Sequence, residues 1–383
     1  MDQDNKTIAF FSGFYLPFLG GIERYTDKIT TELVKMGYNV VIVTTNHDNL
    51  KEIEEDSGRT ILRLPSKKLF KQRYPLLEKN EIFRKLMSKL EGYSIDYVIC
   101  NTRFQLTTLL GLKFAKEKKL PSLVLDHGSS HFTVNNKSLD FFGEIYEHLL
   151  TERIKSFRPD FYAVSKRSSN WLKHFKINSK GVIYNSVPDG LVQQFADKEF
   201  CPKESNAIFV TYAGRIIKEK GIEMLLKSFV ANQYTPNIKL MIAGDGPEFD
   251  SLKNQYSSEQ IHFLGKLNFD DTMSLLSQTD IFVYPSMYPE GLPTSILEAG
   301  FLSCAVIATD RGGTVEVITD DSLGIIIEEN ENSLMSALDE LVNNSDKRKQ
   351  LQSNLQQRIK QCFTWSKTVQ YLDQIIQRDL EDR

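Results

Sequence analysis

The strongest constraint in this chain is a serial pattern: a short apolar run, a glycine-bearing loop, then an amphipathic stretch, with the whole series starting again half-way along. Residues 7–12 form a compact apolar run that reads as a buried strand. Gly20 and Gly21 follow. Residues 22–36 then carry Ile22, Tyr25, Ile29, Leu33 and Met36 on one helical stripe, and Gly37 suits the helix end. Further strands are expected at 40–45, 60–64, 97–101, 122–126, 161–164 and 181–184, with helices at 81–90, 106–116 and 141–157. The second series opens at 208–213 and continues with strands at 239–243, 262–264, 281–284, 305–308 and 324–327. Its helices are expected at 222–230, 272–277, 293–301 and 315–318, followed by one long polar helix at 333–361. After a break at 362–364, residues 365–378 place Trp365, Val369, Leu372 and Ile376 on one stripe.

Alternating strands and helices predict parallel sheets covered on both faces. Two such series predict an α/β chain of two doubly wound, Rossmann-like domains joined near residues 185–189. A chain of 383 residues is long enough for two cores. Hydrophobic residues at 41% and charged residues at 25% exclude a disordered, collagen-like or disulfide-scaffold chain. The net charge of −3 hides an asymmetry. Residues 1–190 hold 29 basic against 22 acidic residues, whereas the remainder holds 18 against 28, so the two halves suit different partners. Cys100, Cys201, Cys304 and Cys362 form no CxxC pair and read as inert thiols. No apolar stretch reaches signal-peptide or membrane-spanning length, which predicts a cytoplasmic protein.

Five motifs fall where a strand meets the following loop, the edge at which open α/β sheets bind ligands. Gly20-Gly21 lets backbone amides approach an anion at a helix N-terminus, or makes a plain tight turn. Asp126-His127-Gly128 ends a strand of the first half, and His127 is suited to bond a hydroxyl or a developing charge. Gly214-Arg215-Ile216-Ile217-Lys218-Glu219-Lys220-Gly221 offers two cations, Arg215 and Lys220, that can clamp a diphosphate. Gly244-Asp245-Gly246-Pro247-Glu248 reads first as a sharp turn into a helix. The most informative segment runs from Tyr284 through Glu290, Gly291, Leu292, Pro293 and Thr294 to Glu298. Pro293 is expected at the first helical position, leaving amides at Leu292, Thr294 and Ser295 for a phosphate. Two acids beside phosphate donors make sense if the ligand also has hydroxyls, as a nucleotide-sugar does.

In this order, GGIER, DHG, GRIIKEKG, GDGPE and EGLPTSILEAG resemble family 4 of the retaining nucleotide-sugar glycosyltransferases, from about Ile8 to Tyr371. The resemblance implies a GT-B fold: two Rossmann-like domains facing across a cleft, closing to exclude water. It implies an acceptor domain at 1–187 completed by a helix at 363–383 that crosses back, and a donor domain at 188–362. On matching positions, Gly20 and Gly21 approach the donor diphosphate, and Arg215 and Lys220 neutralise it with Gly214 in the same loop. Gly291, Leu292, Pro293 and Thr294 form the amide-rich turn on the phosphates. Glu290, the first acid of an E-x7-E pair, contacts the sugar hydroxyls, and Glu298 faces the ribose. His127 lies near the transferred sugar. Glu290, His127, Arg215 and Lys220 are the catalytic candidates, with no metal and no cofactor expected.

The implied activity is transfer of a hexosyl or N-acetylhexosaminyl unit from a nucleotide-sugar to a glycan or lipid-linked saccharide in bacterial-type polysaccharide or glycolipid synthesis. UDP is the commonest carrier in the family; GDP and ADP stay open. The alternatives are an epimerase or hydrolase on the same fold, and a non-catalytic nucleotide-sugar-binding subunit. Residues 60–90 carry nine Lys+Arg against Glu78 and Glu81, interleaved with Leu69, Phe70, Tyr74, Leu76, Leu77, Phe83, Leu86 and Met87. This composition suits an anionic membrane surface, hence peripheral attachment to the inner face of the plasma membrane, or else an ordinary solvated helix face. No nucleic-acid motif is present.

Overall fold

The apolar runs become strands of two sheets, one mostly parallel and one wholly parallel. The computed structural model describes residues 6–18, 20–69, 74–131, 137–288 and 291–382. The chain divides into two units. One runs up to Asn185 and takes in the segment from Trp365 onward; the other is Ser186–Thr364.

In the first unit the elements are β1 (Thr7–Phe11), α1 (Gly21–Lys35), β2 (Asn39–Asn46), β3 (Ile53–Asp56), β4 (Arg59–Leu69), β5 (Tyr74–Leu77), α2 (Glu81–Glu91), β6 (Tyr97–Asn101), α3 (Leu106–Lys118), β7 (Ser122–Asp126), α4 (Lys137–Lys155), β8 (Asp160–Ala163), α5 (Lys166–Leu172) and β9 (Gly181–Val182). The strand order is β3-β4-β2-β1-β6-β7-β8-β9, with β5 beside β4. β3 and β5 are antiparallel to β4, and the other pairs are parallel. β1 is central and wholly buried, with Phe10 opposite Ile42 and Ile99. Its period of two sends Ile8 and Phe10 to one core and Ala9 and Phe11 to another.

The second unit contains α6 (Leu191–Phe195), β10 (Ile208–Ala213), α7 (Ile222–Ala231), β11 (Ile238–Ala243), α8 (Phe249–Tyr256), β12 (Ile261–Gly265), α9 (Phe269–Ser277), β13 (Ile281–Tyr284), α10 (Thr294–Phe301), β14 (Ala305–Thr309), α11 (Thr314–Val317), β15 (Ile325–Ile327), α12 (Glu331–Asn343) and α13 (Ser345–Cys362). Its order is β12-β11-β10-β13-β14-β15, parallel throughout. α14 (Trp365–Glu381) packs in the first unit, burying Trp365, Val369, Leu372 and Ile376 with Tyr25, Ile29 and Leu33 of α1.

Three expectations are corrected. The polar helix expected at 333–361 is two helices. Asn344 leaves helical geometry at φ −115° and ψ 88°, and its side chain caps the second by accepting from the Lys347 amide at 2.9 Å. Pro293 is the N-cap of α10, at φ −71° and ψ 110°, rather than its first helical residue. The strand expected at 60–64 extends to Leu69 and forms a hairpin with the acidic β3. Ser57 and Gly58 both have positive φ, 50° and 81°, as a two-residue hairpin turn requires. Arg59 and Arg63 pair across the strands with Asp56 and Glu54.

The segment 60–90 therefore divides. Arg63 is buried in its ion pair, and Phe83 and Leu86 belong to the core beside Val98 and Leu112. Phe70, Lys71 and Arg73 lie outside the described residues. Among the described residues of this unit, Leu76 and Ile82 are each 39% exposed, and α4 exposes more, with Phe141, Phe142 and Leu149 at 59%, 67% and 68%.

Both tryptophans of the chain, Trp171 and Trp365, lie in the first unit, so tryptophan fluorescence reports on that unit alone. Trp365 is 4% exposed, and its ring meets Tyr25 edge-on at 5.2 Å. Trp365→Ala should destabilise the first unit by about 3–5 kcal/mol in urea unfolding followed by the remaining Trp171 emission. An unshifted midpoint would show that the closing helix adds nothing to this core.

Candidate functional site

In the second unit four loops leave the C-terminal ends of adjacent strands and pack on one another. The loop after β10 is held by its own strand: the Tyr212 hydroxyl donates to the Arg215 carbonyl at 2.8 Å. The loop after β11 comes in against it, with the Ile216 amide donating to the Asp245 carbonyl at 2.9 Å. Gly244, at φ +149°, lies so close that a Cβ there would collide with the Gly214 carbonyl. Glycine is thus demanded by packing, in keeping with the turn reading of this motif.

The loop after β13 meets the first loop from the other side. The Met287 amide donates to the Glu219 carbonyl at 2.8 Å, and Gly221, at φ +69°, leaves no room for a Cβ against the Pro285 carbonyl. The Lys220 ammonium donates to the Tyr284 hydroxyl at 3.2 Å and sits 5.3 Å and 5.7 Å from the Tyr284 and Tyr288 ring centres. Its position is therefore fixed by two aromatic faces and a hydroxyl. Arg215 is exposed on the same loop, as is Gly214.

The loop after β14 closes the group. The Thr309 hydroxyl donates to the Ser286 carbonyl at 2.5 Å, and the Gly313 amide donates to the Gly291 carbonyl at 2.6 Å. Leu292 and Pro293 are buried, and Thr294 opens α10, whose N-cap has no side-chain hydrogen bond. The first amides of this helix are the kind of donors that an anion completes. Glu298 is half-buried in the second turn of α10. Glu290 lies outside the described residues. The structure thus brings Gly214, Arg215, Lys220, Gly291, Leu292, Pro293, Thr294 and Glu298 to neighbouring loops and one helix of a single unit.

Gly20, Gly21 and His127 belong to the first unit, at the C-terminal edge of its sheet. Gly20 is the N-cap of α1 and has no side chain to cap it. The buried Glu23 carboxyl turns back toward Gly20. Desolvation raises its pKa, opposed by hydrogen bonds from the Glu23 and Gly20 amides. The chain's own acid thus occupies part of this helix end.

His127 is the end of an ordered hydrogen-bond chain. The Thr26 hydroxyl donates to the Ile22 carbonyl at 2.7 Å, so it accepts from Asn101 Nδ2 at 2.8 Å. That orients Asn101 Oδ1 toward His127 Nε2 at 3.3 Å. The histidine ring stands edge-on to Tyr25, 4.9 Å between centres, and Tyr25 donates to the Ile183 carbonyl at 3.1 Å. Desolvation pushes the His127 pKa down to about 4, against the opposing charge of Asp126. At neutral pH the ring is uncharged, carries its proton on Nε2 toward Asn101, and keeps Nδ1 as an acceptor.

Two charged residues at this edge, Arg103 and Glu147, escaped the sequence reading. Arg103 is fully buried and donates to both carboxylate oxygens of Asp126 at 3.0 Å and to Glu147 at 3.0 Å. No local pattern announces Arg103: its partners are 23 and 44 residues away. Ser12, Thr102 and Gln105 each keep a buried side-chain oxygen without a partner among the described residues.

The family model "Glycosyltransferase Family 4" matches residues 19–190, and "Glycosyl transferases group 1" matches residues 193–358. An uncharacterized glycosyltransferase of Methanocaldococcus jannaschii is 27% identical over 385 residues, covering 97% of this chain and 98% of that protein. The alpha-monoglucosyldiacylglycerol synthase of Streptococcus pneumoniae is 25% identical over 83% of this chain and 74% of its own length. Among solved structures, the Anabaena protein HepE in complex with UDP superposes with a TM-score of 0.72 at 18% identity, over 98% of this chain and 100% of that one. Two matched models that together span both units, relatives of nearly full length and a shared two-domain Rossmann-like architecture lead to one conclusion: this chain belongs to the family 4, group 1 glycosyltransferases and has the GT-B fold.

Proposed function

We propose that the enzyme transfers a hexosyl or N-acetylhexosaminyl unit from a UDP-sugar to a hydroxyl of a glycan or lipid-linked saccharide, with retention, in bacterial-type cell-surface polysaccharide or glycolipid synthesis on the cytoplasmic side. The observation that carries the donor reading is the convergence of loops around Lys220, Arg215 and the open end of α10. UDP as the carrier draws on HepE, whose structure holds that nucleotide.

The chemistry follows from where charge develops. As the sugar–phosphate bond breaks, negative charge grows on the leaving diphosphate. Arg215, Lys220 and the Thr294 amide are suited to stabilise it, with Leu292 and Gly291 shaping the turn. The acceptor oxygen bonds to the anomeric carbon on the face the phosphate leaves, and its proton passes to a phosphate oxygen. Glu290 is assigned to the sugar hydroxyls and Glu298 to the ribose. Neither step calls on a metal. In the first unit, the neutral His127 offers Nδ1 to a hydroxyl, and the unpartnered oxygens of Ser12, Thr102 and Gln105 are suited to a polar acceptor. Gly20 and Gly21 keep their amide role toward the diphosphate only if the Glu23 carboxyl moves aside.

The lipid-linked alternative for the acceptor draws on the exposed apolar residues of α4 and on the streptococcal relative, which is named for a glycolipid product. No helix among the described residues is long and apolar enough to cross a membrane.

A thermal-shift panel against UDP-, GDP-, ADP- and dTDP-sugars tests the donor. One nucleotide class should raise the melting temperature, and no response to any of them would overturn the reading. Arg215→Ala should cut transfer by roughly 100-fold or more while the melting temperature without ligand stays put. Donor turnover with no acceptor present, faster than with one, would favour the epimerase or hydrolase instead. The His127 pKa sets a pH signature. The unfolded chain takes up this proton near pH 6.5, whereas the folded protein resists until about pH 4, so stability falls as pH falls between those values. His127→Asn should flatten that part of the stability profile. Finally, replacing Phe141, Phe142 and Leu149 together by Ser should lower co-sedimentation with liposomes about tenfold and leave the donor shift intact.

A further inference from the structure

Half of the six histidines in the chain, His131, His148 and His174, meet at one place in the first unit. They come from three separate pieces: the loop after β7, the middle of α4, and the short 3-10 turn Lys173–Phe175. One nitrogen of each lies within 4.8 Å of the others. The Nε2 atoms of His148 and His174 are 3.2 Å apart. Two imidazole nitrogens bound to one tetrahedral zinc at about 2.0–2.1 Å stand about 3.3–3.4 Å apart, so this pair already has the edge length of such a site.

The third ring is held in a ligand's posture. His131 Nδ1 lies 3.0 Å from the Glu147 carboxylate, which is buried and anchored to Arg103 at 3.0 Å. A carboxylate on one imidazole nitrogen fixes the proton there and turns the other nitrogen outward with its lone pair, the arrangement found around metal-bound histidines. His131 is about half-way to exposure and His148 and His174 are exposed, so a fourth coordination position would open to water. Three imidazole nitrogens, with no thiolate or carboxylate among them, suit zinc and its borderline neighbours rather than magnesium or calcium.

We propose that His131, His148 and His174 form a three-histidine site for a zinc-class divalent cation, with Glu147 orienting His131 and water in the fourth position. The site belongs to the first unit and the donor loops to the second, and it does not depend on the transfer chemistry proposed above. Its effect is mechanical: the cation ties the loop that follows His127 to α4 and to the turn at Lys173–Phe175. The competing arrangement is a hydrogen bond between His148 and His174 within a purely aromatic cluster, in which Trp171 stacks on His174 at 4.8 Å.

Cobalt(II) distinguishes the two, because tetrahedral cobalt absorbs visible light far more strongly than octahedral cobalt. Untagged full-length chain, stripped with chelator, should take up one equivalent of cobalt with intense visible bands, and zinc should displace it. The His148→Ala/His174→Ala double variant should keep the far-ultraviolet circular dichroism of the parent chain and lose the bands. Glu147→Gln should weaken binding by about 10–100-fold. Zinc should also raise the first unit's melting temperature in the parent chain alone. Weak octahedral spectra, or uptake unchanged in the double variant, would overturn the proposal.

Discussion

A buried guanidinium organises the edge of the first unit. Arg103 has no exposed surface and faces two carboxylates, Asp126 at the end of β7 and Glu147 on α4, with its Cζ 4.0 Å from the Phe175 ring centre. Taking such a charge out of water costs several kcal/mol, and only near-ideal pairing offsets it. The pairing therefore pins four pieces together: the turn after β6, the end of β7, α4 and the turn at Lys173–Phe175. His127 adjoins Asp126 directly, and His131 hangs from Glu147. Both histidines owe their placement to this network.

The second unit solves the same problem with backbone. Its loops approach so closely that Gly221 and Gly244 face a carbonyl where other residues carry a Cβ. Three of the hydrogen bonds that join them, Ile216 to Asp245, Met287 to Glu219 and Gly313 to Gly291, run from amide to carbonyl. Lys220 then sits 5.3 Å and 5.7 Å from the ring centres of Tyr284 and Tyr288. A loop cluster built this way holds the Lys220 ammonium with little conformational entropy left to lose.

Much of the fold was legible because β1, β10 and their successors are short buried runs, and because α1 and α14 carry clean apolar stripes. The acidic β3 was not legible. Its strand character comes from Arg59 and Arg63 across the hairpin, not from its own residues. The break at Asn344 was missed because a capping asparagine inside a polar stretch looks like an ordinary helix-surface residue until its side chain is seen on the Lys347 amide. In the site, GRIIKEKG and EGLPTSILEAG were visible as motifs. That Gly244 serves packing, and that Glu23 turns back over the Gly20 end of α1, could be seen only in three dimensions.

By itself the sequence determined the alternation of strand and helix, the two-unit plan and the identity of the loops at the sheet edges, because periodicity and glycine placement are local properties of the chain. Tertiary structure decided the protonation of His127, the burial of Arg103 and the meeting of three histidines. Each depends on desolvation or on partners 16 to 44 residues away, and solvent exclusion exists only once the elements have packed.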